Sequence, residues 1–129
     1  MRGILERICD GKGKDGDIEL LTADDVRDAD YVFHLAADKD FFGGKRVFAN
    51  NVRGTQRLIE TLQGSPRLKR LVFASSMGAI DRAPADDCTG PITEDSPPHP
   101  SSPYGRAKLE CERLIAASSL PFTILRLPW

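Results

Sequence analysis

Three stretches of continuous apolar sequence constrain this chain more than anything else in it. They are Tyr31-Val32-Phe33-His34-Leu35-Ala36-Ala37, Arg70-Leu71-Val72-Phe73-Ala74 and Pro121-Phe122-Thr123-Ile124-Leu125-Arg126-Leu127. None alternates apolar with polar residues as a strand with one wet face would. Such runs are what parallel strands covered on both faces look like. Helical patterns lie between them. One spans about Val47 to Leu62, with Phe48, Val52, Thr55, Ile59 and Leu62 on one side and Gly64 and Pro66 as its stop. Its Gly54 weakens a helix, which points to a close neighbour. Another starts at Pro103, capped by Ser101 or Ser102, and ends near Ser118, with Ala107, Cys111, Leu114 and Ile115 as its buried stripe. Ahead of the first run, Ile18 to Leu21 reads as a short strand, followed by a helix capped by Thr22 with Asp24 and Asp25 in its first turn.

Strands and helices alternating in this way predict a Rossmann-like α/β layer: a parallel sheet with right-handed crossovers and helices on both faces. At 129 residues the chain has the size of one domain. Its 18 basic and 19 acidic residues leave a net charge of −1, with no bulk attraction toward nucleic acid or anionic lipid. A small-molecule site fits that balance. Cys9, Cys88 and Cys111 are odd in number and widely spaced, which predicts a reducing cytoplasm. His34 sits in an apolar run and His99 among prolines, so no metal-ligand cluster is expected. No apolar span is long enough for a bilayer and none resembles a leader, so the chain is expected to be neither exported nor membrane-embedded.

Several residues invite a chemical reading. Gly11-Lys12-Gly13-Lys14-Asp15-Gly16 formally matches G-x-G-x-x-G, but no buried strand leads into it and no long helix follows. Without that context it reads as a solvated turn, and residues 1–16 as a poorly defined segment. Asn51 falls on or beside a buried stripe, where the spacing alone favours a core asparagine satisfied by backbone groups. Ser75 and Ser76 end a strand at the edge where open α/β sheets place their ligands, although hydroxyls there are also ordinary loop chemistry. Asp81 to Pro100 is broken by Pro84, Pro91, Pro97, Pro98 and Pro100 and reads equally as a substrate-lining loop or as disorder. Tyr104 and Lys108, four apart at the head of a helix, share one face. An ammonium beside a phenol lowers its pKa, which makes them a candidate acid/base pair. A partly buried tyrosine near a solvated lysine would show the same spacing.

Taken in order, these segments resemble the extended short-chain dehydrogenases/reductases, which include the NAD(P)-dependent sugar-nucleotide epimerases and dehydratases. Gly16-Asp17-Ile18 resembles the family's G-D-[IL] turn at the adenine. Val32-Phe33-His34-Leu35-Ala36-Ala37 resembles its H-[LF]-A-[AG] strand end, where backbone at Ala36 and Ala37 approaches the dinucleotide. Asn51-Val52-Arg53-Gly54-Thr55 resembles its N-V-x-G-T helix motif, whose asparagine lies near the active site. Leu71 to Ser76 resembles the strand that delivers the catalytic serine, Ser76 by register, with Ser75 beside the cofactor. Ser102-Pro103-Tyr104-Gly105-Arg106-Ala107-Lys108 is similar to S-x-Y-[GA]-x-[ST]-K, with Ala107 in place of Ser or Thr. Leu125-Arg126-Leu127-Pro128 resembles the strand leading to the nicotinamide-contacting turn.

The resemblance implies an NAD- or NADP-dependent oxidoreductase or isomerase over residues 17–129. Tyr104 as phenolate would take a proton from a substrate hydroxyl while hydride passes to the nicotinamide. Lys108 would steady the phenolate and hold the ribose, Ser76 would donate to the reacting oxygen, and Asn51 would order the site. A sugar nucleotide is the implied substrate, with sterol-like or flavonoid-like alcohols of related reductases next. The family's first strand with its G-x-x-G-x-x-G turn, the residue that separates NAD from NADP, and the substrate lobe are not found in these residues. A chain of this kind is therefore expected to be poorly stable or to associate, as a homodimer for example, and to bind the dinucleotide weakly. The other class open to it is a non-catalytic remnant or protein-binding module.

Overall fold

The computed structural model describes residues 18, 21–38, 44–81 and 91–128. The elements run α1 (Ala23–Val26), β1 (Tyr31–His34), α2 (Gly44–Leu62), β2 (Arg70–Ser76), a 3-10 turn (Met77–Ala79), α3 (Pro103–Ala117) and β3 (Phe122–Leu127). The strands form one sheet in the order β1-β2-β3, both pairs parallel, with Phe33 opposite Val72 and Ser75 opposite Arg126. This is the expected Rossmann-like layer.

Local chemistry accounts for where the helices begin. At α1, the amide and hydroxyl of Thr22 both donate to Asp25 Oδ2, at 2.9 and 2.6 Å. Gly44 opens α2 with φ of 41°, a left-handed value that glycine adopts without a steric penalty. At α3, Ser102 Oγ accepts from the Gly105 amide at 2.9 Å, and Pro103 occupies the position where a missing N–H is harmless.

One core joins them. Val32, Leu71 and Phe73 of the sheet pack with Leu58, Ile59 and Leu62 of α2, with Cys111 and Ile115 of α3, and with Val26 next to β1. All these helices therefore lie on a single face of the sheet. On the other face Tyr31, Phe33 and Leu125 remain 39%, 40% and 46% exposed. Helices on both faces were expected from the unalternating runs; among the described residues only one face has them. Likewise, β1 pairs with β2 alone among the described residues, leaving its other edge unpaired.

Three further expectations shift. The Leu21 amide donates to the Ile18 carbonyl at 3.2 Å, a bond that brings the two described ends of this segment closer than an extended strand would. The buried side of α2 runs through Val47, Asn51, Gly54, Thr55, Leu58 and Leu62, while Phe48 turns outward at 37% exposure. The first strand stops at His34, with Leu35 and Ala36 exposed beyond it. The close neighbour expected at Gly54 is Ile18: a Cβ on Gly54 would sit 2.5 Å from Ile18 Cγ2.

Candidate active site

Parallel strands end together, so β1, β2 and β3 deliver Ala36 and Ala37, Ser76, and Pro128 to one edge of the sheet. The head of α3 is pressed against that edge. A Cβ on Gly105 would lie 2.2 Å from the Gly78 carbonyl oxygen, so the residue after Tyr104 touches the turn that follows Ser76. Only a residue without a side chain permits this approach. Tyr104, Lys108 and Ser76 are thereby brought to one place from two elements.

Ser76 is buried, and its Oγ accepts from the Gly78 amide at 3.1 Å. That bond uses a lone pair and leaves the hydroxyl proton for donation. Lys108 is 3% exposed, and its Nζ donates to the Ala74 carbonyl at 2.7 Å. The ammonium lies 4.7 Å from the Phe73 ring centroid and 5.6 Å from that of Tyr104, within reach of the negative ring faces. The solvated lysine that the spacing also allowed is thus ruled out. The tyrosine differs from expectation. Its phenol is held above its ordinary value, by burial first and by the Cys111 thiol second. The ammonium that was to lower it donates to Ala74 instead.

Asn51 clamps the loop after β1. Its Oδ1 accepts from the Asp38 amide at 2.8 Å, and its Nδ2 donates to the Asp38 carbonyl at 3.0 Å. The Asp38 carboxylate also accepts from Arg46 Nη1 at 2.6 Å and Asn50 Nδ2 at 3.1 Å. The side chain is thus satisfied by backbone groups, as the spacing alone favoured, and those groups belong to the segment that carries Ala36 and Ala37. Beneath it, Thr55 Oγ1 donates to the Asn51 carbonyl at 2.9 Å, and His34 Nε2 lies 2.8 Å from the same hydroxyl.

Ser75 is placed otherwise than expected. It is 1% exposed, and its hydroxyl donates to Glu112 Oε1, facing the interior between β2 and α3 rather than the strand-end edge. Ile18 packs against α2, Pro128 is exposed at the end of β3, and Asp17 lies outside the described residues, as do residues 82–90 of the proline-rich loop. Sequence reasoning passed over Glu112. On a helix a glutamate reads as solvated; the signal was Arg126, a cation inside an apolar strand, which calls for a buried partner. Among the described residues no three potential metal ligands cluster, and no helix is long and apolar enough to cross a membrane.

Residues 7–128 match the profile of the NAD dependent epimerase/dehydratase family. A UDP-glucose 4-epimerase of Lactobacillus helveticus is 34% identical over 123 residues, covering 86% of this chain and 36% of that protein. A short-chain dehydrogenase/reductase superfamily protein from Agrobacterium tumefaciens, solved with bound NAD, is 34% identical with a TM-score of 0.68. That match covers 81% of this chain and 33% of the other. The UDP-glucuronic acid 4-epimerase of Bacillus cereus, in complex with NAD, superposes with a TM-score of 0.70 at 29% identity, over 82% of this chain and 34% of that one. The chain thus spans about a third of the length of these relatives.

Proposed function

The chain belongs to the NAD dependent epimerase/dehydratase family, and from that premise we propose that it carries the proton-transfer part of a nucleotide-sugar epimerase or dehydratase site. The observation behind this reading is the seating of the α3 head on the turn after Ser76, with Gly105 against Gly78. Tyr104 Oη is the base that takes the proton of a substrate hydroxyl. Ser76 Oγ donates to the same oxygen, where negative charge develops as the proton leaves. Lys108 Nζ stabilises the phenolate once it exchanges the Ala74 carbonyl for the phenol oxygen, and Asn51 holds the loop that bounds the site. Tyr104 is protonated at neutral pH in the chain as it stands, so added positive charge near Oη is a condition of the chemistry.

The strand-end edge fits a dinucleotide on the nicotinamide side. Ala36 is exposed and Ala37 half-buried, and their small side chains leave the backbone open to approach. Ala36, Ala37, Tyr104, Lys108 and Pro128 would hold that half of NAD or NADP, which supplies the hydride acceptor. The curated relative acts on UDP-glucose by its name, which makes a nucleotide sugar the leading substrate over sterol-like or flavonoid-like alcohols.

Grafting residues 17–128 into the matching third of the Bacillus cereus epimerase tests the assignment. The graft is expected to turn over UDP-glucuronic acid, and Tyr104→Phe to slow it by about 10²–10⁴-fold, the usual range for a general base. An active graft indifferent to Tyr104→Phe would sink the reading. Calorimetry on the chain alone is expected to show no micromolar affinity for NAD(H) or NADP(H). One observation favours a second reading, a protein-binding module: the uncovered sheet face with Tyr31, Phe33 and Leu125. Tight dinucleotide binding by the chain alone would argue against it.

A further inference from the structure

We propose that Glu112 is a positioning residue whose buried carboxylate locks β2, α3 and β3 together and so sets Ser76 against Tyr104 and Lys108; the proposal rests on the catalytic reading of those three residues. Glu112 follows Lys108 by one helical turn and Tyr104 by two, on the same face of α3. It is 5% exposed. Its Oε1 accepts from the Ser75 hydroxyl at 2.5 Å and from Arg126 Nε at 3.0 Å, and its Oε2 accepts from Arg126 Nη2 at 2.7 Å. Ser75 and Arg126 are direct partners across the β2–β3 pair. One carboxylate therefore ties a helix to two strands at a single level of the sheet.

That level lies immediately beneath the candidate site. Ser75 is bonded to Ser76 through the chain, and Arg126 stands two residues before Pro128. Stability is a poor explanation for such a group, because desolvating a buried ion pair offsets most of its attraction and an apolar residue of like volume serves as well. What an apolar residue lacks is direction. Bonds from Ser75 and Arg126 fix where the carboxylate sits, and with it the rotation of α3 that aims Tyr104 and Lys108.

NMR on the whole 129-residue chain, well below its unfolding temperature, tests this without requiring turnover. Glu112→Met keeps the volume and removes the bonds. It is expected to shift or broaden the Ser76, Gly78 and Gly105 amides and the Tyr104 ring signals, to lose the contact between Gly78 and Gly105, and to leave the Val32, Leu58 and Leu62 signals in place. Ser75→Ala removes one hydroxyl and retains the ion pair, so it decides the matter if the first variant does not fold. Its shifts should be confined to Ser76–Gly78 and the facing turn of α3. Unchanged Ser76 and Tyr104 signals, or shifts spread evenly through the core, would overturn the proposal. Failure of the catalytic reading shows elsewhere, as a graft insensitive to Tyr104→Phe.

Discussion

His34 sits where a charge cannot be accommodated. Burial pushes its imidazole down to about 3, with the Lys108 ammonium as the second cause. Its Nε2 lies 2.8 Å from Thr55 Oγ1, a hydroxyl that also reaches the Asn51 carbonyl at 2.9 Å and Cys111 Sγ at 3.1 Å. Below its ordinary value of 6.5 the unfolded histidine takes up a proton that the folded one refuses until about 3. Stability from this group is thus complete above 6.5 and is lost as pH falls toward 3. At about pH 5 the loss amounts to about 2 kcal/mol. His34→Gln keeps a hydrogen-bonding group beside Thr55 and cannot titrate, so urea unfolding of this variant should lack that part of the pH dependence. Tyr104 offers a second residue-level measurement: with its phenol raised by burial, ultraviolet titration should show a tyrosine ionising above the ordinary phenol value, and Tyr104→Phe should remove that step. The pairing of Tyr104 with Lys108 was legible as spacing on a helix. The direction of the phenol's shift was not, because burial sets it first and the Cys111 thiol second, and burial is a property of the packed fold rather than of a spacing on one helix.

The two glycines at helix contacts make opposite demands on α2 and α3. At Gly105 an added methyl meets backbone, the Gly78 oxygen at 2.2 Å and its carbon at 2.9 Å, so α3 and the turn must part. Gly105→Ala should destabilise the chain by about 1–3 kcal/mol and move Tyr104 away from Ser76. At Gly54 the methyl meets only the Ile18 side chain, and alanine brings about 1 kcal/mol of helix preference that partly offsets the crowding. Gly54→Ala should therefore cost clearly less in the same urea measurement; an equal or larger loss would mean that Ile18 is held as rigidly as backbone. At this scale most elements could be read in advance. Pro103 and Ser102 marked the start of α3 within a residue, and the apolar runs marked all three strands. Ile18 to Leu21 was misread because four residues are too few to show a period, and a strand and a more compact segment look alike at that length. Phe48 was misplaced for a related reason: α2 begins at Gly44 and its buried stripe is set by Val47 and Asn51, one step round the helix.

For the molecule as a whole, the uncovered face dominates. Phe33 beside Val72, and Ala74 beside Leu125, form a row of apolar pairs with no helix over them among the described residues. Apolar area of this kind favours association. Sedimentation should show self-association that strengthens with concentration, and Phe33→Lys should weaken it while leaving the unfolding midpoint of the dilute chain nearly unchanged. A strictly monomeric chain at high concentration would contradict this. An unalternating run signals two covered faces but cannot say which residues do the covering, so this exposure could not be read from the sequence. The strand order has its own consequence. Because β1, β2 and β3 lie side by side in chain order, every crossover steps in the same direction. In open α/β sheets the ligand crevice opens where the stepping direction reverses, at a topological switch point. No such reversal lies between the described strands, so the switch point belongs at the edge of β1 that no described strand pairs with. On the function proposed above, Ala36, Ser76 and Pro128 would furnish one wall of a cleft whose opposite wall has to come from beyond the described strands.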